Sequence, residues 1–107
     1  MSEKHDQLKN LAIDWLREHD YNDIEMEVKV LSPPTPRSPS HKGKYSIDIV
    51  GRNGNKKIAI ECGGSKPIKL NNLLGLFNEV WVFPYGDTMP LQWREGMNIC
   101  QNCGHTI

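Results

Sequence analysis

The sequence predicts one small α/β domain, a sheet flanked by helices, with its elements in the order α-β-β-β-α-β. Three observations lead there. Apolar residues first recur with a helical period and then switch to a period of two. Asn53-Gly54, the strongest short signal for a hairpin, sits between two apolar stretches. A second helical stripe then separates the hairpin from a last apolar run, which is the crossover that a parallel strand pair needs. At 107 residues the chain holds a single core.

Residues 3–19 carry Leu8, Leu11, Ala12, Trp15 and Leu16 on one stripe, an amphipathic helix with Ser2 as its cap. From Ile24 the pattern alternates: Ile24, Met26, Val28 and Val30 are separated by Glu25, Glu27 and Lys29, which reads as a strand. Residues 31–44 form a Pro-rich loop holding four of the seven prolines (Pro33, Pro34, Pro36 and Pro39), and it ends on the basic stretch His41-Lys42-Gly43-Lys44. Tyr45 to Arg52 and Asn55 to Cys62 are the arms of the hairpin. Ser65 and Pro67 start a helix that aligns Leu70, Leu73, Leu74 and Phe77. Glu79 to Phe83 is a strand without polar alternation, hence buried on both faces. Beyond Pro84 periodicity is lost. The domain is therefore drawn over residues 1–86, with 87–107 an appendage expected to add little stability.

Thirteen Lys and Arg balance thirteen Asp and Glu, so no overall field draws the chain to nucleic acid or membrane, and such contacts must come from local patches. The longest apolar run, Val80 to Phe83, is far short of the ~20 residues of a membrane helix. Met1 to Asp6 has no signal-peptide core, and three cysteines do not make a secreted disulfide framework. The expected location is the cytoplasm.

With Asn53-Gly54 as the two-residue loop, Arg52 faces Asn55, Asp48 opposes Ala59 and Glu61 opposes Ser46. Asp48 and Glu61 are then diagonal neighbours on one face, roughly 7–8 Å apart at the backbone. Tyr45, Ile47, Ile49, Ile58, Ile60 and Cys62 take the other face as core. Two carboxylates aimed together repel unless a cation lies between them. The plainer reading makes that face wet and the acids ordinary surface groups.

This order, with Ile47-Asp48-Ile49-Val50 in the second strand and Ile58-Ala59-Ile60-Glu61-Cys62-Gly63 in the third, resembles the PD-(D/E)XK, or restriction-endonuclease-like, nuclease superfamily. His5-x-x-Leu8-Lys9 in the first helix and Glu25-x-Glu27 in the first strand look like the competence-associated group within it. The resemblance covers residues 3 to 85. It implies Asp48 and Glu61 as ligands of Mg²⁺ or Mn²⁺, Glu27 as an assisting acid, and nucleic acid, DNA first, as the partner. The position that usually carries Lys is Gly63 here, so Lys66 or Lys69 from the following helix would have to supply the cation. His5, Lys9, Lys42 and Lys44 are candidate contacts to the nucleic-acid backbone, against a plainer reading as helix rim and solvated loop.

Cys100 and Cys103 have the spacing of two zinc ligands, half of what a closed site needs, and His105 is too near Cys103 to chelate the same ion comfortably. A pair of reduced thiols is the plainer reading. The functional expectation is a Mg²⁺-dependent nuclease or nuclease-derived module. The alternatives are an inactive nucleic-acid-binding module of the same fold and a protein-interaction adaptor using the Pro-rich loop and tail. A homodimer is left open.

Overall fold

A computed structural model describes residues 3–31, 44–86 and 88–106. Ser2 and most of the Pro-rich loop, including His41 and Lys42, lie outside the described residues. The elements are α1 (Glu3–Glu18), β1 (Asp23–Leu31), β2 (Lys44–Asn53), β3 (Lys56–Cys62), α2 (Pro67–Leu74), β4 (Glu79–Phe83) and a short β5 (Leu91–Gln92). They build one five-stranded mixed sheet in the order β1-β2-β3-β4-β5. Only β3 and β4, joined through α2, run parallel. The α/β class and the order of the first six elements are as the sequence predicts.

The helix stripes explain the layers. Leu8, Ala12 and Leu16 of α1 pack with Ile49, Ile58, Ile60, Cys62 and Phe83, whereas Leu70 and Leu73 of α2 pack with Ile47, Val50, Ala59, Val80 and Val82. The central strands are thus covered on both sides. α1 stops where Asp20 adopts a left-handed φ of 67°. Its amide donates to Arg17 O at 3.2 Å and the Tyr21 amide to Leu16 O at 2.9 Å. That is the pairing of a Schellman terminus, with Tyr21 and Leu16 both in the core.

Three expectations are corrected. The hairpin turn is Gly54-Asn55, not Asn53-Gly54: Asn53 pairs with Lys56, and Gly54 takes φ +60°. A primed turn needs positive φ at its first central position, which glycine adopts without steric cost, so Asn53 is pushed back into the strand. The register moves by two residues, and its continuation brings Asp48 level with Glu61 instead of Ala59. Because the shift is even, each strand keeps its alternation relative to the other.

Second, alternation breaks within β1 and β2 at one level. Glu27 has a φ of 54° and drops out of the ladder opposite Asp48. Before the break Ile24 packs on the α1 side; after it Val28 and Val30 pack on the α2 side. In β2 Ile49 and Ile47 divide the same way, so Ile47 and Tyr45 do not share a core with Ile49. Met26, expected inward, is left 57% exposed.

Third, the tail belongs to the core. β5 pairs with β4, and Trp93 and Ile99 are buried in the α2-side cluster, Trp93 with 1% of its surface exposed. The Trp93 indole donates to Asn71 Oδ1 at 2.9 Å. The expectation that residues beyond 87 add little stability overlooked these isolated anchors, which have no period to reveal them. No helix among the described residues is long and apolar enough to cross a membrane.

Candidate acidic site between the two helices

The ladder between β2 and β3 is formed up to Ile49 and Ile60; beyond that pair side chains take over its hydrogen bonds. The Cys62 amide donates to Asp48 Oδ2 at 2.8 Å, and the Asp48 amide donates to Glu61 Oε2 at 3.2 Å. Each acid thus binds the backbone beside the other, and both are locked at the point where the strands separate. This holds polar groups in place without a regular sheet.

Glu61 is 3% exposed and is the buried charged residue among those described. The sequence could not tell this from a wet face, because alternation sorts residues between faces and does not say that both faces of Ile58–Cys62 are buried. Its Oε1 is in direct contact with the ammonium of Lys69, a buried ion pair. Lys69 Nζ also donates to Ser46 O at 2.7 Å and lies 6.0 Å from the centre of the Tyr45 ring. Burial pushes the Glu61 carboxyl up to about 7; the charge of Asp48 adds to the rise, and Lys69 opposes it. A carboxyl so placed is a strong acceptor for a further cation.

From the other side α1 brings His5 and Lys9. His5 Nε2 is 3.5 Å from Asp48 Oδ2, with Asp48 about one-quarter exposed. Lys9 Nζ bonds Glu27 Oε1 at 3.0 Å; this bond raises the Lys9 pKa against the effect of burial, and the charge of Asp48 adds to the rise. Glu27 itself is 64% exposed, in the backbone region that non-glycine residues enter at a cost of ~1–3 kcal/mol. His5, Asp48, Glu61 and Lys69 therefore form one chain of contacts across the β2–β3 gap, and the separate Lys9–Glu27 pair lies near enough to feel the charge of Asp48.

Of the two candidate lysines, Lys69 reaches Glu61. Lys66 is exposed in the N-cap position before α2, with an extended backbone. The sequence held the clue: Lys66 precedes Pro67, the first helical residue, whereas Lys69 is one turn from Leu73 on the side facing the sheet. Lys44 begins β2. Gly63 has φ +83°, and a β-carbon there would overlap the Tyr85 ring. Lysine at that position would be strained by the backbone and would have to displace the Tyr85 ring, so Tyr85 is a determinant that sequence reading missed. Burial, followed by the charges of Asp48 and Glu61, pushes the Cys62 thiol up to about 12, leaving it an unreactive core residue.

Beside this cluster α1 and the turn after β4 border a groove of about 390 Å³, lined by Lys4, Gln7, Leu8, Leu11, Tyr85, Gly86 and Thr88. Among the described residues no three His, Cys, Asp or Glu side chains are grouped to hold a metal by themselves. Asp48 and Glu61 offer two carboxylates, and the buried Glu61 Oε1 is taken by the Lys69 ammonium, which a metal ion would have to displace. If the chain holds a hard cation such as Mg²⁺ or Mn²⁺, which binds through one or two carboxylates and keeps several waters, these are the two residues that could hold it.

No family model matches the chain, and neither the curated proteins nor the solved structures provide a match.

Proposed function

We propose that the protein is a divalent-metal-dependent nuclease module acting on nucleic-acid phosphodiesters, DNA first. The observation that carries this reading is the buried Glu61 locked to the backbone of Asp48 and faced by Lys69. Asp48 and Glu61 would hold Mg²⁺ or Mn²⁺, which when bound supplies an activated water and offsets phosphate charge. The residues of the chain do the rest. Lys69 replaces the cation that Gly63 cannot carry: released from Glu61 Oε1, it remains anchored by Ser46 O and faces the phosphate side of the site. His5, at the exposed edge of Asp48, orients a phosphate oxygen, and Lys9 holds Glu27 against the site. The PD-(D/E)XK resemblance agrees with these roles.

A second reading, an inactive module that binds nucleic acid, draws support from Lys69 itself. Its ammonium is engaged at both Glu61 and Ser46, and a protein that never releases it would bind without cleaving. Incubating plasmid, linear and single-stranded DNA with Mn²⁺ separates the two. Active protein should lose at least tenfold in rate on Asp48→Ala and on Lys69→Met with the fold retained, whereas Lys66→Met should be neutral. Salt-sensitive binding without cleavage of any form would favour the inactive module.

A further inference from the structure

The CxxC turn lies outside the carboxylate site and is more ordered than a polar tail requires. Ile99 and Thr106 form a bridge that closes a small hairpin. At its tip the Cys100 amide donates to His105 O at 2.8 Å and the Gly104 amide to Cys100 O at 2.9 Å. These two bonds tie both ends of the turn and hold Cys100 and Cys103 on one rigid tip.

The hairpin is also fastened to the domain. A β-carbon on Gly64 would overlap the backbone of Gln101 and Asn102, and one on Gly104 would stand 2.8 Å from Gly63 O. The Tyr85 amide donates to Cys103 O at 2.9 Å. His105 Nε2 lies 2.6 Å from Tyr85 O; a carbonyl only accepts, so this nitrogen carries the proton, and His105 is not grouped with the two thiols as a third ligand among the described residues. Cys62 is in the α1-side core. Both thiols of the turn are half-buried, and Gln101 and Asn102 between them are exposed.

We propose that Cys100 and Cys103 are half of a structural zinc site completed by the same pair from a second copy of the chain. Zinc in such sites takes four ligands, and among the described residues this turn supplies two. An identical turn related by a two-fold axis supplies the other two, already held rigid by the same backbone bonds. A formal net charge of zero places no overall repulsion between copies. The zinc links the dimer, and each thiol that binds gives up its proton to solvent.

The test is native mass spectrometry and elemental analysis of the full chain, purified reduced and supplied with Zn²⁺. The expected result is a dimer with one zinc per two chains, monomeric after chelation. Co²⁺ in place of Zn²⁺ should show thiolate charge transfer at an intensity corresponding to four thiolates per ion. Cys100→Ser and Cys103→Ser should each be monomeric and zinc-free with unchanged far-UV circular dichroism. Zinc held 1:1 by a monomer, a dimer that survives chelation or either substitution, or no zinc uptake with a Cys100–Cys103 disulfide forming instead would each overturn the proposal.

Discussion

Glu61→Gln isolates the energetic cost of the buried carboxylate. Gln keeps the shape and an oxygen for the Asp48 amide but removes the charge. With the folded carboxyl near 7 and its ordinary value at 4.5, both folded and unfolded chains hold the proton below pH 4.5 and no penalty exists. Between those values the unfolded chain releases the proton while the folded one retains it, so stability falls as pH rises. Above 7 the full difference applies. At 1.36 kcal/mol per pKa unit it is about 3 kcal/mol, of which about 2–3 kcal/mol develops between pH 5 and pH 8. Taking variant minus wild type removes every group common to both. Urea unfolding with a chelator present is the assay: over that interval the wild type should lose about 2–3 kcal/mol more than Glu61→Gln. Lys69, one-fifth exposed, rehydrates in the variant and keeps its bond to Ser46 O. Parallel stability curves for the two proteins would refute the claim that Glu61 is a desolvated carboxyl.

Trp93→Ala should cost about 3–5 kcal/mol in chemical denaturation, because it empties a fully buried indole site and orphans Asn71; a change under 1 kcal/mol would return the tail to appendage status. Gly63→Ala should destabilise by about 2 kcal/mol or more, through positive φ and overlap with Tyr85, and Tyr85→Ala should recover part of that loss in a double-mutant cycle. Glu27→Gly removes backbone strain while breaking the Lys9 pair, so stability should change by less than about 1 kcal/mol while any Mn²⁺-dependent cleavage falls.

Much of the fold was legible because its signals are periodic. The stripe of Leu8, Ala12 and Leu16 and the apolar run at Val80 to Phe83 each place an element by spacing alone. The pairing of Asp48 with Glu61 was legible only in parity. A turn placed one residue early at each arm moves the register by two and spares the alternation, so the wrong turn still brought the acids together. What failed was set by the third dimension. Glu27 breaks two strands at once, and nothing in Glu25-x-Glu27 distinguishes the strained residue from its neighbour. Trp93 and Ile99 are single anchors without a repeat, and the partner that Glu61 meets in the interior, Lys69, comes from α2 and not from its own strand.

Asp48 and Glu61 are proposed to hold one divalent cation together, and calorimetric titration of Mn²⁺ into the metal-free protein decides whether they do. The account predicts one site per chain that weakens at least tenfold on Asp48→Ala and on Glu61→Gln, and tightens on Lys69→Met, because the ammonium no longer competes for Glu61 Oε1. Mn²⁺ affinity unchanged by all three substitutions, or no binding to the wild type, would contradict it.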